Sequence, residues 1–321
     1  MGYSFIIPAY KSDKTIDRCL HSIQNQVGIN QDAYEVIVVL CRPTKKILRY
    51  LEKRENIIFI TTQKRNRSYS RNLGAQKAKF EYLVFVDSDI ALSRNWVNNQ
   101  KTILNNKLVA ASQGSFKWDL ECQTRQKKYG FLPNVQSSFF SEYGTVVVTG
   151  ACIYSAKIFM KIGGFNENVL WHEDLDLSIR AFNMGYALAY NQYSIAYLLK
   201  ENQTIAHLVK RSFISGFHSG QLDRYYFGRS RVLKHAKFYK NKLINIISNS
   251  RQNIIESLIY VINYTFKLLG HSASAVKFKN PKYSFPRNVK PYKGIKDNYQ
   301  GQYHFGLLYI NGQRCLYNPK E

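Results

Sequence analysis

A short apolar run that ends in two acidic residues constrains the fold of this chain more than any other feature. The stretch EYLVFVDSDIAL, residues 81–92, has four consecutive apolar side chains from Leu83 to Val86. A strand that is apolar on both faces is typical of a central parallel strand covered by helices. Ligands of open α/β sheets bind outside the carboxyl ends of such strands, where Asp87 and Asp89 lie. The stretch leaves two interpretations open: a cation shared by two close carboxylates, or an aspartate-rich turn in which Asp89 caps the next helix.

Strand-like and helix-like segments alternate along the remainder of the first two thirds of the chain, as in α/β folds. Apolar strand-like runs occupy residues 4–8, 34–40 and 56–61. Apolar residues recur with helical spacing in TIDRCLHSIQNQ, and HEDLDLSIRAFNMG reads as a helix that ends near Gly185. We therefore predict a Rossmann-like, mostly parallel central sheet flanked by helices over residues 1–205, followed by a basic, mainly helical extension over residues 206–321.

The charge of the chain points to an anionic partner. Its 321 residues carry a formal net charge of +25, and residues 201–321 alone hold 20 Lys and Arg against 5 Asp and Glu. A surplus of this kind is typical of proteins that bind nucleic acid, an anionic membrane surface or phosphate-bearing substrates. The hydrophobic content of 45% is ordinary for a globular protein and argues against disorder.

The cysteines and the N-terminal residues predict a cytoplasmic protein. The five cysteines are odd in number and widely spaced, without a CxxC or Cys/His metal pattern, so we expect reduced thiols. The sequence enters an apolar strand at once, without the charged region and cleavage site of a signal peptide.

Three separate segments, in the same order, resemble the inverting, nucleotide-sugar-dependent glycosyltransferases of family 2, whose fold is called GT-A. The segments are FIIPAYKSDKTIDRCLHSIQNQ, NRSYSRNLGAQKAKFEYLVFVDSD and GGFNENVLWHEDLDLSIRAFNMGY. The resemblance covers about residues 3–195. It implies that the chain is an enzyme that moves a sugar from a nucleotide-sugar, with UDP as the expected nucleotide, to a hydroxyl of a glycan or a lipid-linked glycan.

The resemblance also assigns residues to the donor. In the family, the end of the first strand forms a wall for the nucleotide base, and the RN pair lies beside the base and the diphosphate. The DSD turn holds Mn²⁺ or Mg²⁺ on the diphosphate, with Asp89 as the direct ligand and Asp87 nearer the ribose or a ligand water; hard oxygen ligands suit both ions. The donor residues implied in this way are Pro8, Ala9, Tyr10, Arg71, Asn72, Asp87, Ser88 and Asp89.

The ED pair carries the family's general base. The resemblance assigns that role to Asp174, with Glu173 as a positioning carboxylate, although acidic residues in a first helical turn are ordinarily capping and dipole partners. Trp171 and His172 precede this pair and are candidates for the acceptor sugar, because aromatic faces pack on the apolar faces of pyranose rings. Thr149 and Gly150 match a family position beside the donor sugar and complete the candidate acceptor residues; each of the four could equally be packing.

Two departures from the family pattern limit how far the family's residue roles can be assigned to this chain. Many relatives end the second strand with acidic residues that bind the base, whereas this chain has Leu40 and Cys41 there. Family members often have a histidine after the next strand that completes the metal site; SIAYLLKEN lacks one, and His207 and His218 are the later candidates.

The C-terminal region leaves two questions open. The apolar segment at residues 253–270 is short for a membrane span, so it is either an interfacial helix on an anionic membrane at the inner face or a helix packed on the catalytic domain. The alternative to an enzyme is a non-catalytic basic binding protein on the same scaffold. We expect no nucleic-acid partner, because no nucleic-acid-binding motif is present.

Overall fold

The computed structural model describes residues 1–54, 56–120, 140–141, 144–199, 205–227, 231–248, 254–277, 306–310 and 313–317. At the centre of the fold lie four parallel strands in the order β4–β1–β2–β3. Their bounds are Tyr3–Ala9 for β1, Tyr34–Cys41 for β2, Ile57–Thr62 for β3 and Tyr82–Val86 for β4. The four strands predicted from the apolar runs are therefore confirmed, and β1 continues through Pro8 to Ala9.

The second half of the sheet is mixed in direction. The short strand β5, Ile90–Leu92, pairs with the end of β10, Ala187–Leu198, which runs parallel to β6, Val109–Trp118. Strand β9, Ala151–Ser155, lies antiparallel between β4 and β6 and joins the two halves. The sheet is thus an α/β sheet flanked by helices, as predicted, with antiparallel pairing added beyond β4.

Two further strand pairs complete the described strands. Strands β7, Phe140–Ser141, and β8, Gly144–Thr145, form a separate antiparallel pair. Strands β11, Gly306–Ile310, and β12, Gln313–Tyr317, form a hairpin that adds to β10 at the edge of the large sheet. This hairpin lies within residues 206–321, which we predicted to be mainly helical, and the sequence analysis did not predict it.

Helices cover both faces of the sheet because its central strands are apolar on both sides. The helices are α1 (Ile16–Gln24), α2 (Lys45–Glu52), α3 (Arg67–Lys77), α4 (Trp96–Leu104), α5 (Ala156–Lys161), α6 (Glu173–Asn183), α7 (Ile205–Phe227), α8 (Val232–Ser248) and α9 (Ile254–Lys277). In β4, Val84 and Val86 face the cluster that includes α1, α2 and α4, while Leu83 and Phe85 face the cluster with α3, α5 and α6. This two-sided burial holds the carboxyl end of β4 in place.

The apolar helix α9 packs on α7. A Cβ built on Gly216 of α7 would lie only 1.8 Å from the carbonyl oxygen of Lys267 in α9, so the two backbones touch. The side chain of Ser212 also donates to Asn263 across the same contact, at 2.6 Å. These contacts show α9 packed on α7, and the choice between an interfacial helix and a helix packed on the catalytic domain stays a prediction. Within the described residues, no helix combines the length and apolarity that crossing a membrane requires.

Candidate active site

A cavity of about 1000 Å³ opens at the carboxyl ends of β1, β2 and β4. This is the edge of an α/β sheet where ligands are expected to bind. Residues from three segments that the sequence analysis singled out line the cavity: the IPAY stretch at the end of β1, the DSD turn and the loop before α6. The residues lining it are Pro8, Ala9, Tyr10, Lys11, Ser12, Asp13, Lys14, Thr15, Arg18, Cys41, Arg65, Asn66, Arg67, Ser70, Asp87, Ser88, Asp89, Leu170, Trp171 and Leu199.

Tyr10 forms one wall of this cavity, and its predicted contact with the nucleotide base stays a prediction. The guanidinium carbon of Arg65 lies 4.6 Å from the centre of the Tyr10 ring, and Nζ of Lys11 lies 5.6 Å from it. Cys41, at the end of β2, lines the cavity in place of the acidic residues of the relatives. An aromatic face with two cations beside it suits a nucleotide, whose base stacks and whose phosphates are anionic.

The DSD turn is held by backbone hydrogen bonds from three directions. The N–H of Asp87 donates to Gly150 at 2.8 Å, the N–H of Ile90 donates to Asp87 at 3.0 Å, and the N–H of Leu199 donates to Asp89 at 2.9 Å. Strand β5 follows at once, and α4 begins only at Trp96 with Asn95 as its N-cap. The interpretation of Asp89 as a helix cap is therefore wrong, and both aspartates face the cavity.

The turn fits a hard divalent cation by the chemistry of its donors. Asp87, Ser88 and Asp89 place three oxygen-bearing side chains on the cavity wall. Mg²⁺ and Mn²⁺ prefer such ligands and take the others from phosphates and water. In the described part of the chain, no third His, Cys, Asp or Glu ligand joins the two aspartates. The candidate His218 instead stacks on Trp171, with ring centres 6.4 Å apart.

Arg71 lies beneath the cavity rather than in its wall. Its side chain is 1% exposed, and its guanidinium donates to Asp87 at 2.7 Å and to Glu173 at 2.8 Å. Burial alone would lower the pKa of Arg71, but the two carboxylates raise it above its ordinary value. The structure thus gives Arg71 the role of a bridge between the DSD turn and α6, and its predicted contact with the donor stays a prediction.

Asn72 has a similar internal role. Its side-chain amide donates to the carbonyl of Phe165 at 2.9 Å and accepts from the N–H of the same residue at 2.9 Å. Asn72 is not among the residues that line the cavity. Asn72 thus holds the segment around Phe165, between α5 and α6, to helix α3. Both residues of the RN pair therefore support the site from beneath the cavity. The predicted direct contact of Asn72 with the donor stays a prediction.

The ED pair begins α6, and its two carboxyl groups have opposite pKa shifts. Burial would raise the pKa of Glu173, but Arg67 and Arg71 hold it below its ordinary value. Burial and the charge of Glu173 raise the pKa of Asp174 to about 6, against the opposing N–H of Leu175 and the two arginines. Pairs of groups whose surroundings push their pKa values apart are typical of acid–base sites. Asp174 has the shift expected of a general base, although it does not itself line the cavity.

The four predicted acceptor residues separate into two groups. Trp171 lines the cavity, with the guanidinium of Arg67 5.8 Å from its ring centre. His172 instead turns toward α7, where its Nε2 lies 3.0 Å from the carbonyl of Ser215. Thr149 is 2% exposed and, like Gly150, lies outside the cavity lining. Of the four residues, Trp171 alone is among those that line the cavity, and the acceptor role of all four stays a prediction.

Several cavity residues were missed by the sequence analysis. They are Lys11, Ser12, Asp13, Lys14, Thr15, Arg18, Arg65, Asn66, Arg67, Ser70, Leu170 and Leu199. Their position in the sequence could have identified them as cavity residues, because most of them directly follow β1 or lie between β3 and α3. The cluster of basic residues around Arg65 was visible in the sequence, but basic residues are so common in this chain that the cluster did not stand out.

Comparison with known proteins bears on the family and the fold of this chain. Residues 4–163 match the model of the glycosyl transferase family 2. The poly(ribitol-phosphate) beta-glucosyltransferase of Bacillus spizizenii is 38% identical over 95 residues, which are 28% of this chain and 15% of that protein. The poly(ribitol-phosphate) beta-N-acetylglucosaminyltransferase TarS of Staphylococcus aureus is 27% identical over 110 residues, 33% of this chain and 19% of that protein. The matches thus span less than a fifth of these curated relatives.

Two solved structures share the fold. The mannosyltransferase PcManGT from Pyrobaculum calidifontis, in complex with GDP-Man and Mn²⁺, has a TM-score of 0.54 at 17% identity, covering 85% of this chain and 73% of that chain. S. aureus TarS 1-349 in complex with UDP-GlcNAc has a TM-score of 0.52 at 16% identity, covering 92% of this chain and 100% of that chain. At these identities the likeness shows the GT-A fold alone. The family match shows that this chain belongs to glycosyl transferase family 2, and its fold is GT-A.

Proposed function

We propose that this chain is an inverting, metal-dependent transferase that moves a sugar from a nucleotide-sugar, with UDP as the expected nucleotide, to an acceptor hydroxyl. The observation that carries the proposal is the run from Trp171 to Asp174. Trp171 walls the cavity, and three residues later Asp174 has a pKa raised to about 6 by burial and by Glu173. A carboxylate with a pKa near the working pH is suited to accept a proton from a hydroxyl.

The donor half of the site is proposed to be the wall formed by Tyr10, Arg65, Asp87 and Asp89. Tyr10 would stack on the base, and the basic side chains would face the diphosphate. Asp89 and Asp87 are the residues that would hold Mg²⁺ or Mn²⁺, which supplies Lewis-acid stabilisation of the departing nucleotide diphosphate when bound. The Mn²⁺ and nucleotide-sugars in the complexes of the two fold relatives support this choice of partners.

The acceptor half is proposed to involve Trp171 and Asp174. Asp174 would accept the proton of the acceptor hydroxyl while that oxygen attacks the anomeric carbon from the face opposite the leaving diphosphate. One in-line displacement of this kind inverts the configuration and needs no covalent sugar–enzyme intermediate. Arg71 keeps Glu173 ionised beside Asp174, and the neighbouring negative charge keeps the base's pKa raised.

The acceptor is proposed to be a glycan or lipid-linked glycan that carries phosphates. The names of the curated relatives describe transfer to poly(ribitol-phosphate), which is a polyanion. The net charge of +25 on this chain favours an acceptor of that charge. We also propose that the protein works in the cytoplasm, on the inner face of the membrane, because apolar side chains such as Leu233, Ile244 and Leu258 are exposed in the basic C-terminal helices.

The donor proposal is tested by a screen of nucleotide-sugars. The purified chain is incubated with Mn²⁺ and a panel of UDP-, GDP- and CDP-sugars, with and without a poly(ribitol-phosphate) acceptor, and free nucleotide is measured. We expect one UDP-sugar to be turned over faster with the acceptor present. Turnover confined to GDP- or CDP-sugars would contradict the choice of nucleotide, and a lack of turnover with every donor would favour the non-catalytic alternative.

A further inference from the structure

A buried cluster of one carboxylate and two imidazoles lies in the C-terminal helices, and none of its three residues lines the cavity. Asp223 of α7, His235 of α8 and His271 of α9 contribute one side chain each, and all three are at most 3% exposed. The Nε2 atoms of both histidines lie 3.0 Å from Oδ2 of Asp223. The two imidazole rings have centres 4.3 Å apart, and one ligand atom from each residue fits within 4.8 Å of the others.

One oxygen atom is crowded by more donors than it can accept in good geometry. Oδ2 of Asp223 already accepts from the N–H of Arg231 at 3.1 Å, and a carboxylate oxygen has two lone pairs. The third neighbour, Nε2 of His271, lies 3.0 Å away, yet this atom makes no aligned hydrogen bond with any described residue. A buried imidazole nitrogen without a hydrogen bond is costly unless its lone pair meets another electrophile.

We propose that Asp223, His235 and His271 bind a late first-row divalent cation, with Zn²⁺ as the first candidate, that joins helices α7, α8 and α9. Two imidazole nitrogens and a carboxylate oxygen are a ligand set that Zn²⁺ prefers, at about 2.0–2.2 Å from each atom, with water in the fourth position. Bond lengths of that order place neighbouring ligand atoms about 3.0–3.5 Å apart, close to the observed separations.

The bound cation has a structural role in this proposal. Helix α7 carries Ser215 and Ser219, which contact Nε2 of His172, and Tyr226, whose hydroxyl donates to Asp176 at 2.5 Å. A cation that fixes α7 to α8 and α9 therefore stiffens the helix against which the loop before α6 rests. The site is separate in chemistry from the DSD turn, whose oxygen donors suit Mg²⁺ or Mn²⁺ on a diphosphate.

The test uses the 321-residue chain without a histidine tag, in the Asp89→Asn background, so that the DSD turn cannot account for binding. After treatment with a chelator and dialysis, the protein is titrated with Co²⁺ in the absence of nucleotide and followed by visible absorption. We expect one equivalent of Co²⁺ to bind and to show the visible absorption bands of a low-symmetry site. We expect Zn²⁺ to displace the bound Co²⁺. His271→Ala and Asp223→Asn should weaken binding by more than about a hundredfold, beyond the range for outer-shell partners.

The control is His21→Ala, an exposed histidine on α1, which should leave Co²⁺ binding unchanged. Equal affinity in the control, His271→Ala and Asp223→Asn variants would overturn the proposal. If the cluster variants fail to fold, the Asp89→Asn parent still decides the question. Zn²⁺ at about a hundredfold excess over Kd should raise its Tm by about 4 °C, and X-ray absorption should show two imidazole ligands. A folded parent that takes up neither Co²⁺ nor Zn²⁺ would show that hydrogen bonds alone hold the cluster.

Discussion

Replacing Arg71 with methionine separates the two roles that this residue can have. Methionine keeps a long, flexible and apolar side chain but removes the guanidinium. If Arg71 is the buried bridge between Asp87 and Glu173, the variant loses stability and its donor affinity changes only as a consequence. If Arg71 binds the donor diphosphate instead, the variant keeps its stability and loses donor affinity.

The size of the stability loss follows from burial. Arg71 is 1% exposed and Glu173 is 6% exposed, while Asp87 is 26% exposed. Removing one partner of a buried ion pair costs about 3–5 kcal/mol because the other charge is left uncompensated. Water can still solvate Asp87, so the main cost falls on Glu173, and we expect a loss near the lower limit, about 3 kcal/mol. With an unfolding entropy of about 2.1 cal/mol/K per residue, this loss lowers Tm by about 4–5 °C.

Thermal unfolding gives the Tm of wild type and Arg71→Met, and calorimetry with UDP and Mn²⁺ gives their nucleotide affinity. The matched control is Arg67→Met: Arg67 is 53% exposed and lies 3.8 Å from Glu173, so its loss should cost less than about 1 kcal/mol. The double variant Arg71→Met/Glu173→Gln should recover part of the lost Tm, because the stranded buried charge is gone. An unchanged Tm in Arg71→Met, together with weakened nucleotide binding, would refute the role of Arg71 as a bridge and support its predicted contact with the donor.

Four further predictions address the base, the metal site, the helix packing and the membrane. Asp174→Asn should lower transfer by about a hundredfold or more. Because the pKa of Asp174 is raised from 3.8 to about 6, ionisation of this group costs stability as the pH rises through that window. The variant should therefore gain up to about 3 kcal/mol relative to wild type above pH 6, and little below pH 4. Asp89→Asn should abolish Mn²⁺-dependent nucleotide binding by calorimetry while Tm stays near that of wild type. Gly216→Ala should cost about 1–3 kcal/mol by overpacking against the backbone of α9, measured as a lower Tm, with the exposed Ala206→Ser as control. Flotation should carry the protein with anionic vesicles more than with neutral ones, and salt should weaken the attachment.

Each of these predictions has an outcome that contradicts it. Transfer within a few-fold of wild type in Asp174→Asn would move the base to another residue, because asparagine caps a helix nearly as well as aspartate. Unchanged Mn²⁺–nucleotide affinity in Asp89→Asn would exclude that residue as a ligand. A Gly216→Ala variant as stable as its control would show that α7 and α9 do not touch as described. Equal recovery with neutral and anionic vesicles at every salt concentration would remove the electrostatic contribution to membrane attachment.

The sequence determined the local elements and the family. The run from Leu83 to Val86 is apolar on both faces, so it had to be a central strand, and its last turn had to carry Asp87 and Asp89 to the ligand-binding edge of the sheet. Patterns of this kind are visible in sequence because neighbours along the chain fix strand periodicity and motif spacing. The division at residues 205 and 206 stays a prediction, although α7 does begin at Ile205.

The tertiary structure decided which groups meet. Arg71 and Glu173 are 102 residues apart in sequence, and Asn72 and Phe165 are 93 apart, yet each pair is in hydrogen-bonding contact. The sequence shows that an arginine or an asparagine is present at a motif position, but the partner of a polar side chain depends on which distant segment folding brings within about 3 Å. For that reason the RN pair was expected to bind the donor and was found holding the site from below. The cluster that His271 completes, between three helices, arises in the same way, because only helix packing brings its ligand atoms together.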